Sequence, residues 1–164
     1  MDAFVAQLDA QTGALQWVRS GGGAMYSDRS AGVALAGNKL RKFDLVLGRA
    51  AADGCDTLVT TGAGQSNSAR TGAAVATALG MATVLVLSGD RPADLTGNLL
   101  LDGLLGAELR FVGDLSWPEL NREVAPVVDE LGAAGSRPVA APVGCSSPLG
   151  TLGFTRAFGE LDAQ

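Results

Sequence analysis

Residues 82–88, ATVLVLS, form an unbroken apolar run rich in branched side chains, and a shorter run of the same kind, DTLVT, spans 56–60. Runs this short and this apolar read as strands buried on both faces, the condition of a parallel sheet covered by helices. Nothing else narrows the fold as much. Between the two runs the loop GAGQSN leads into a small-residue segment, 66–79, that ends at Gly80, a residue suited to the left-handed position after a helix. Upstream, NKLRKFDLVLGRAAAD (38–53) sets Leu40, Phe43, Leu47 and Ala50 or Ala51 on one face, the spacing of an amphipathic helix. Downstream, the pattern predicts a helix over 94–106, a strand over 108–113 and a helix over 116–131 with Pro118 in its first turn. A strand over 137–144 and a last helix over 148–161, starting at Pro148, complete it. Strand and helix alternating through short connections predict an α/β fold, a three-layer α/β/α arrangement around a parallel sheet of about four strands. The first 36 residues, with Gly21-Gly22-Gly23 and weak patterning, yield no predicted element, and no internal repeat is present.

Composition removes several kinds of chemistry. The chain has no histidine, which excludes Ser-His-Asp and Cys-His catalysis and every His-ligated metal; no metal is expected. Its two cysteines, Cys55 and Cys145, are far apart and lack zinc-type spacing, so a reducing, cytoplasmic setting is expected. Twelve basic against 17 acidic residues, with no basic cluster, argue against nucleic acid and anionic membranes as partners. The N-terminus carries aspartates where a secretion signal needs positive charge, and no run approaches the ~20 apolar residues of a membrane span.

Three loops are candidate sites, each with a plainer alternative. Gly62-Ala63-Gly64-Gln65-Ser66-Asn67 approaches the dinucleotide fingerprint, but Asn67 stands at the third glycine and Asp90 lies too far on for the ribose acid. The plainer reading is a strand-to-helix turn in which Ser66 or Asn67 caps the helix. Lys39 and Lys42 are the only lysines, and Lys39 sits at a predicted helix start, where the dipole disfavours a cation; a neutral amine there attacks carbonyls. Its plainer reading is a solvated first-turn lysine. In Gly144-Cys145-Ser146-Ser147-Pro148, Ser147 before Pro148 reads as a helix cap, whereas Cys145 is either a packed small hydrophobe or a site-facing thiol. Asp53 with Asp56, and Asp129 with Glu130, read as solvated charge.

Taken in order, AGNKLRK, GCDTLVTTGAGQSNSAR, LGMATVLV, GNLLLDGLLGAELRFV and PVGCSSPLGTLGF resemble the family of 1-aminocyclopropane-1-carboxylate deaminase and D-cysteine desulfhydrase, over roughly residues 32–161. The joint order of five segments makes the resemblance specific. It implies a pyridoxal-phosphate enzyme of the tryptophan-synthase β-like fold. Residues 54–164 would form its small α/β domain, and residues 1–53, with the Lys39 helix, part of its large domain.

The family's GGNK lysine, which carries pyridoxal 5'-phosphate covalently, matches Lys39. The asparagine of its QSN-x-x-R loop, which bonds the cofactor's phenolic oxygen, matches Asn67. Ser66 and Ser68 match residues lining the substrate-carboxylate pocket, with Ser66 also a catalytic candidate. Gln65 and Cys145 are further site-lining candidates. Ser68 matches neither the deaminase glutamine nor the desulfhydrase histidine. GCSSPLGTLGF looks like the deaminases and GNLLLDGLLGAELRFV like the desulfhydrases, so the substrate stays open between the two.

The family chain is about twice this length. The later glycine/threonine loop for the cofactor phosphate, the acidic partner of the pyridine nitrogen and the active-site tyrosines have no counterpart here. Three functions are therefore expected to compete. One is a deaminase or desulfhydrase acting on a small amino acid, with a homodimer or a separate chain supplying the C-terminal half. The second is a non-catalytic α/β binding module. The third is a nucleotide-binding Rossmann-like domain.

Overall fold

Branched and apolar residues at alternate and adjacent positions favour extended chain wherever both faces can be covered, and the two runs singled out above become the middle of a sheet. The structure, a computed structural model, describes residues 4–8, 15–20, 33–34 and 39–162. Its main sheet has four parallel strands: β4 (Thr57–Ala63), β5 (Ala82–Ser88), β6 (Glu108–Phe111) and β7 (Pro138–Ala141), in the order β6-β5-β4-β7. Three earlier strands, β1 (Phe4–Leu8), β2 (Leu15–Ser20) and β3 (Val33–Ala34), make a separate antiparallel sheet in the order β2-β1-β3. This corrects the expectation that the first 36 residues hold no element. The strands are short, two to six residues, and their few apolar positions leave little local signal.

Helices α1 (Leu40–Ala52), α2 (Asn67–Ala78), α3 (Gly97–Leu104), α4 (Trp117–Arg122), α5 (Val124–Ala133) and α6 (Pro148–Asp162) complete the chain. The helix expected over 116–131 is two helices, broken at Glu123. Pro126 explains the break, because its ring displaces the carbonyl four residues earlier, at Arg122, and it offers no N–H. The helix expected from residue 94 starts at Gly97, whose φ of +56° makes a sharp entry.

Two apolar clusters lie on opposite faces of the sheet, which is what a period of two requires. Leu58, Leu85 and Leu87 pack with Phe43 and Leu47 of α1, the alanines of α2 and Leu99 of α3. Val59, Val84 and Val86 pack with Leu120 of α4 and with Val124 and Val127 of α5. The architecture is therefore the expected α/β/α three-layer arrangement with a parallel four-stranded sheet. From β4 the chain winds through α2 to β5 and through α3 to β6. It then crosses by α4 and α5 to β7, on the other side of β4.

Candidate functional site

Ligands of open parallel sheets bind outside the carboxyl ends of the strands. Here β4 and β7 are neighbours at that end, although the chain reaches β7 only after β5 and β6. The loop after β4 runs into α2, and β7 is followed by a short 3-10 turn, Val143–Cys145, and then α6. That turn touches α1, α2 and β4, so the starts of three helices converge on one end of the sheet.

The loop after β4 is organised by its own side chains. Ser66 caps α2, its Oγ accepting from the Ala69 amide at 3.1 Å. Of the two capping residues the sequence allowed, the structure uses Ser66. Gly62 permits this fold-back, since a β-carbon there would lie 2.6 Å from the Ser66 hydroxyl. Asn67 begins α2; its backbone carbonyl accepts from the Thr71 hydroxyl at 2.8 Å and its side-chain Oδ1 accepts from Asn98 Nδ2 at 3.1 Å. The Ser68 hydroxyl is buried without a hydrogen-bond partner in the protein. Gln65 is committed elsewhere: its Nε2 donates to the Thr96 carbonyl at 3.1 Å and its Oε1 accepts from the Asn98 amide at 2.9 Å, which ties it to the start of α3.

Lys39 occupies the position just before α1 and is half-buried. Its Cε lies 3.6 Å from where a β-carbon on Gly144 would stand, so the lysine reaches across to the turn after β7. Gly144 and Cys145 are both left-handed, with φ of +68° and +52°. For Cys145 that conformation costs about 1–2 kcal/mol. The Cys145 side chain is fully buried in the apolar cluster beneath the turn, and burial pushes its thiol up to about 11 despite the nearby charge of Lys42. It is therefore protonated at neutral pH and acts as a packed small hydrophobe. Ser147 caps α6 as expected, its Oγ accepting from the Gly150 amide at 3.0 Å.

Two residues of this region escape sequence reasoning. Lys42 is 9% exposed, donates to the Ser146 hydroxyl at 3.0 Å and lies 5.7 Å above the Phe154 ring. Its position one turn after Lys39 was the only available signal. Asn98 holds both Gln65 and Asn67, and nothing near it in the chain marks it. Behind this layer Arg70 of α2 and Asp102 of α3 are both buried, and neither Asp102 oxygen has a hydrogen-bond partner. Burial, only partly offset by the Arg70 charge, raises the Asp102 carboxyl to about 7, and burial lowers the Arg70 guanidinium.

The structure thus brings the loop after β4, the Lys39–Lys42 end of α1 and the turn after β7 to one end of the sheet. A ligand seated there would meet a primary amine, serine hydroxyls and an asparagine amide. The amine suits the aldehyde of a pyridoxal, and the orphaned Ser68 hydroxyl calls for a polar partner.

No protein-family model matches the chain. Among curated proteins it is 44% identical over 138 residues to a "Putative 1-aminocyclopropane-1-carboxylate deaminase" of Pyrococcus abyssi, covering 84% of this chain and 41% of that protein. A protein of the same name from Pyrococcus horikoshii is 39% identical over 137 residues, covering 84% and 42%. Among solved structures, a crystal structure of an ACC deaminase homologue superimposes with a TM-score of 0.73 at 40% identity, covering 78% of this chain and 39% of that one. The chain spans about two fifths of the length of these relatives.

Proposed function

Because this chain is a homologue of the 1-aminocyclopropane-1-carboxylate deaminases over 84% of its length, we propose that it carries the lysine-bearing part of a pyridoxal 5'-phosphate site. The site acts on a small amino acid, of the 1-aminocyclopropane-1-carboxylate or D-cysteine type, to give with one water a 2-oxo acid and ammonia, and sulfide as well where the substrate is D-cysteine. When bound, the cofactor supplies an electron sink for charge developing at the substrate's α-carbon. Lys39 is the residue that holds it and moves a proton at its Nζ. Asn67 gives its amide N–H to the phenolic oxygen. Ser66 and Ser68, at a helix start whose dipole favours anions, receive the substrate carboxylate.

The observation that carries this reading is the reach of Lys39 to the Gly144 turn, which follows β7 beside β4. The remaining contacts to the cofactor come from residues that this sequence does not contain. Leu152 and Phe158 of α6, 54% and 76% exposed, offer an apolar face for those residues to cover.

The test is an absorption titration of the purified chain with pyridoxal phosphate, against Lys39→Ala. A spectral change present in the wild type and absent in the variant is the expected result. A change that survives Lys39→Ala removes the lysine from the site. Stabilisation by a nucleotide, with none by pyridoxal phosphate, would transfer the Gly62–Asn67 loop to the dinucleotide reading.

A further inference from the structure

We propose that Asn98 is a positioning residue that decides which end of the Asn67 amide faces a ligand; the inference rests on reading Asn67 as a cofactor contact. The Nδ2 of Asn98 gives one proton to the Gln65 carbonyl at 2.8 Å and the other to Asn67 Oδ1 at 3.1 Å. Its backbone N–H gives a third bond, to Gln65 Oε1 at 2.9 Å, and Gln65 Nε2 returns a fourth to the Thr96 carbonyl at 3.1 Å. Two loops 31 or more residues apart in the chain are locked through two side chains.

The lock has a chemical consequence for Asn67. A primary amide has an acceptor end and a donor end of nearly the same shape, and it is set by its partners. The Asn98 NH2 can be met only by the Asn67 oxygen; the opposite flip would place NH2 against NH2. Asn67 is left with its NH2 as the end it offers to a ligand, which suits an oxyanion such as the cofactor's phenolate. The backbone is built around this arrangement. Gly97 has a φ of +56°, and a β-carbon there would stand 2.6 Å from Gln65 Oε1, so only glycine lets α3 start close enough for Asn98 to reach.

Two measurements test the assignment. The first, without cofactor, is side-chain amide exchange by NMR on isotope-labelled chain. In the wild type the Asn98 NH2 exchanges more slowly than that of Asn67. In Asn98→Asp, where an acceptor of the same shape replaces the donor, the Asn67 amide turns and its own NH2 becomes slow. Unchanged Asn67 exchange in Asn98→Asp overturns the proposal.

The second is the pH midpoint of the Lys39-dependent absorption change with pyridoxal phosphate. Asn98→Ala raises the midpoint by about one pH unit, as Asn67→Ala does, because the phenolate loses a donor. Asn98→Ala then adds nothing in an Asn67→Ala background. A lowered melting temperature with an unmoved midpoint would make Asn98 merely structural. If the wild type shows no Lys39-dependent change, the cofactor reading fails, while the exchange experiment still decides how Asn98 sets the Asn67 amide.

Discussion

A β-carbon added at Gly153 would lie against the backbone carbonyl of Arg41, and one at Gly150 within 2.5 Å of the Cys145 carbonyl. Gly153 lets α6 pack directly on α1, the helix that follows Lys39 and carries Lys42, and Gly150 lets it start against the turn after β7. Gly153→Ala gains up to ~1 kcal/mol in helix propensity but forces two backbones apart, at about 1–3 kcal/mol. A lower thermal midpoint is expected. Gly132→Ala, at a helical position with nothing within 4 Å, is the control and should stabilise by ~0.5–1 kcal/mol.

Asp102 carries a different residue-scale prediction. Its carboxyl, raised to about 7, binds a proton in the folded chain that the unfolded chain has already released from about pH 4 upward. Stability therefore falls as pH rises between those values and stays at the lower level above them. Urea unfolding at pH 5 and pH 8 should show a loss on the order of 1–3 kcal/mol, and a smaller one in Asp102→Asn. The Ser66 cap and the Lys39 position were legible because they depend on neighbours within one helical turn. The Asn98–Asn67 bond and the Arg70–Asp102 pair were not, since each joins α2 to α3 across a strand.

Among the elements, β5 was read at its observed bounds and α1 and α2 nearly so, because each has a strong period and a clear end signal. The segment 116–131 departs from its own period. Its apolar spacing continues through Glu123, yet Pro126 divides it into α4 and α5. Helix caps are the element-scale features most open to test. Ser147→Ala removes the side-chain acceptor of the Gly150 amide and should cost about 1 kcal/mol, measured by chemical denaturation. Lys39-dependent cofactor absorption should survive it, since Ser147 serves only the start of α6.

Across the whole molecule, the parallel sheet places β4 and β5 between two clusters that share no side chain. Leu85→Ala, at a fully buried position, should cost about 2–5 kcal/mol. Hydrogen exchange should be slowest in β4 and β5, the interior strands of the four-stranded sheet. No helix among the described residues is long and apolar enough to cross a membrane. The alternation of apolar runs and helical periods by itself determined an α/β/α parallel sheet, since two-faced burial leaves few other arrangements. The order of five short segments marked the family resemblance. Only the tertiary structure decided that β7 lies beside β4, which brings the Gly144 turn to Lys39. It alone committed Gln65 to α3, buried Cys145 and set the Asn67 amide through Asn98. Those outcomes depend on contacts between residues far apart in the chain, and a local pattern carries no record of which distant partner will satisfy a buried or directional group.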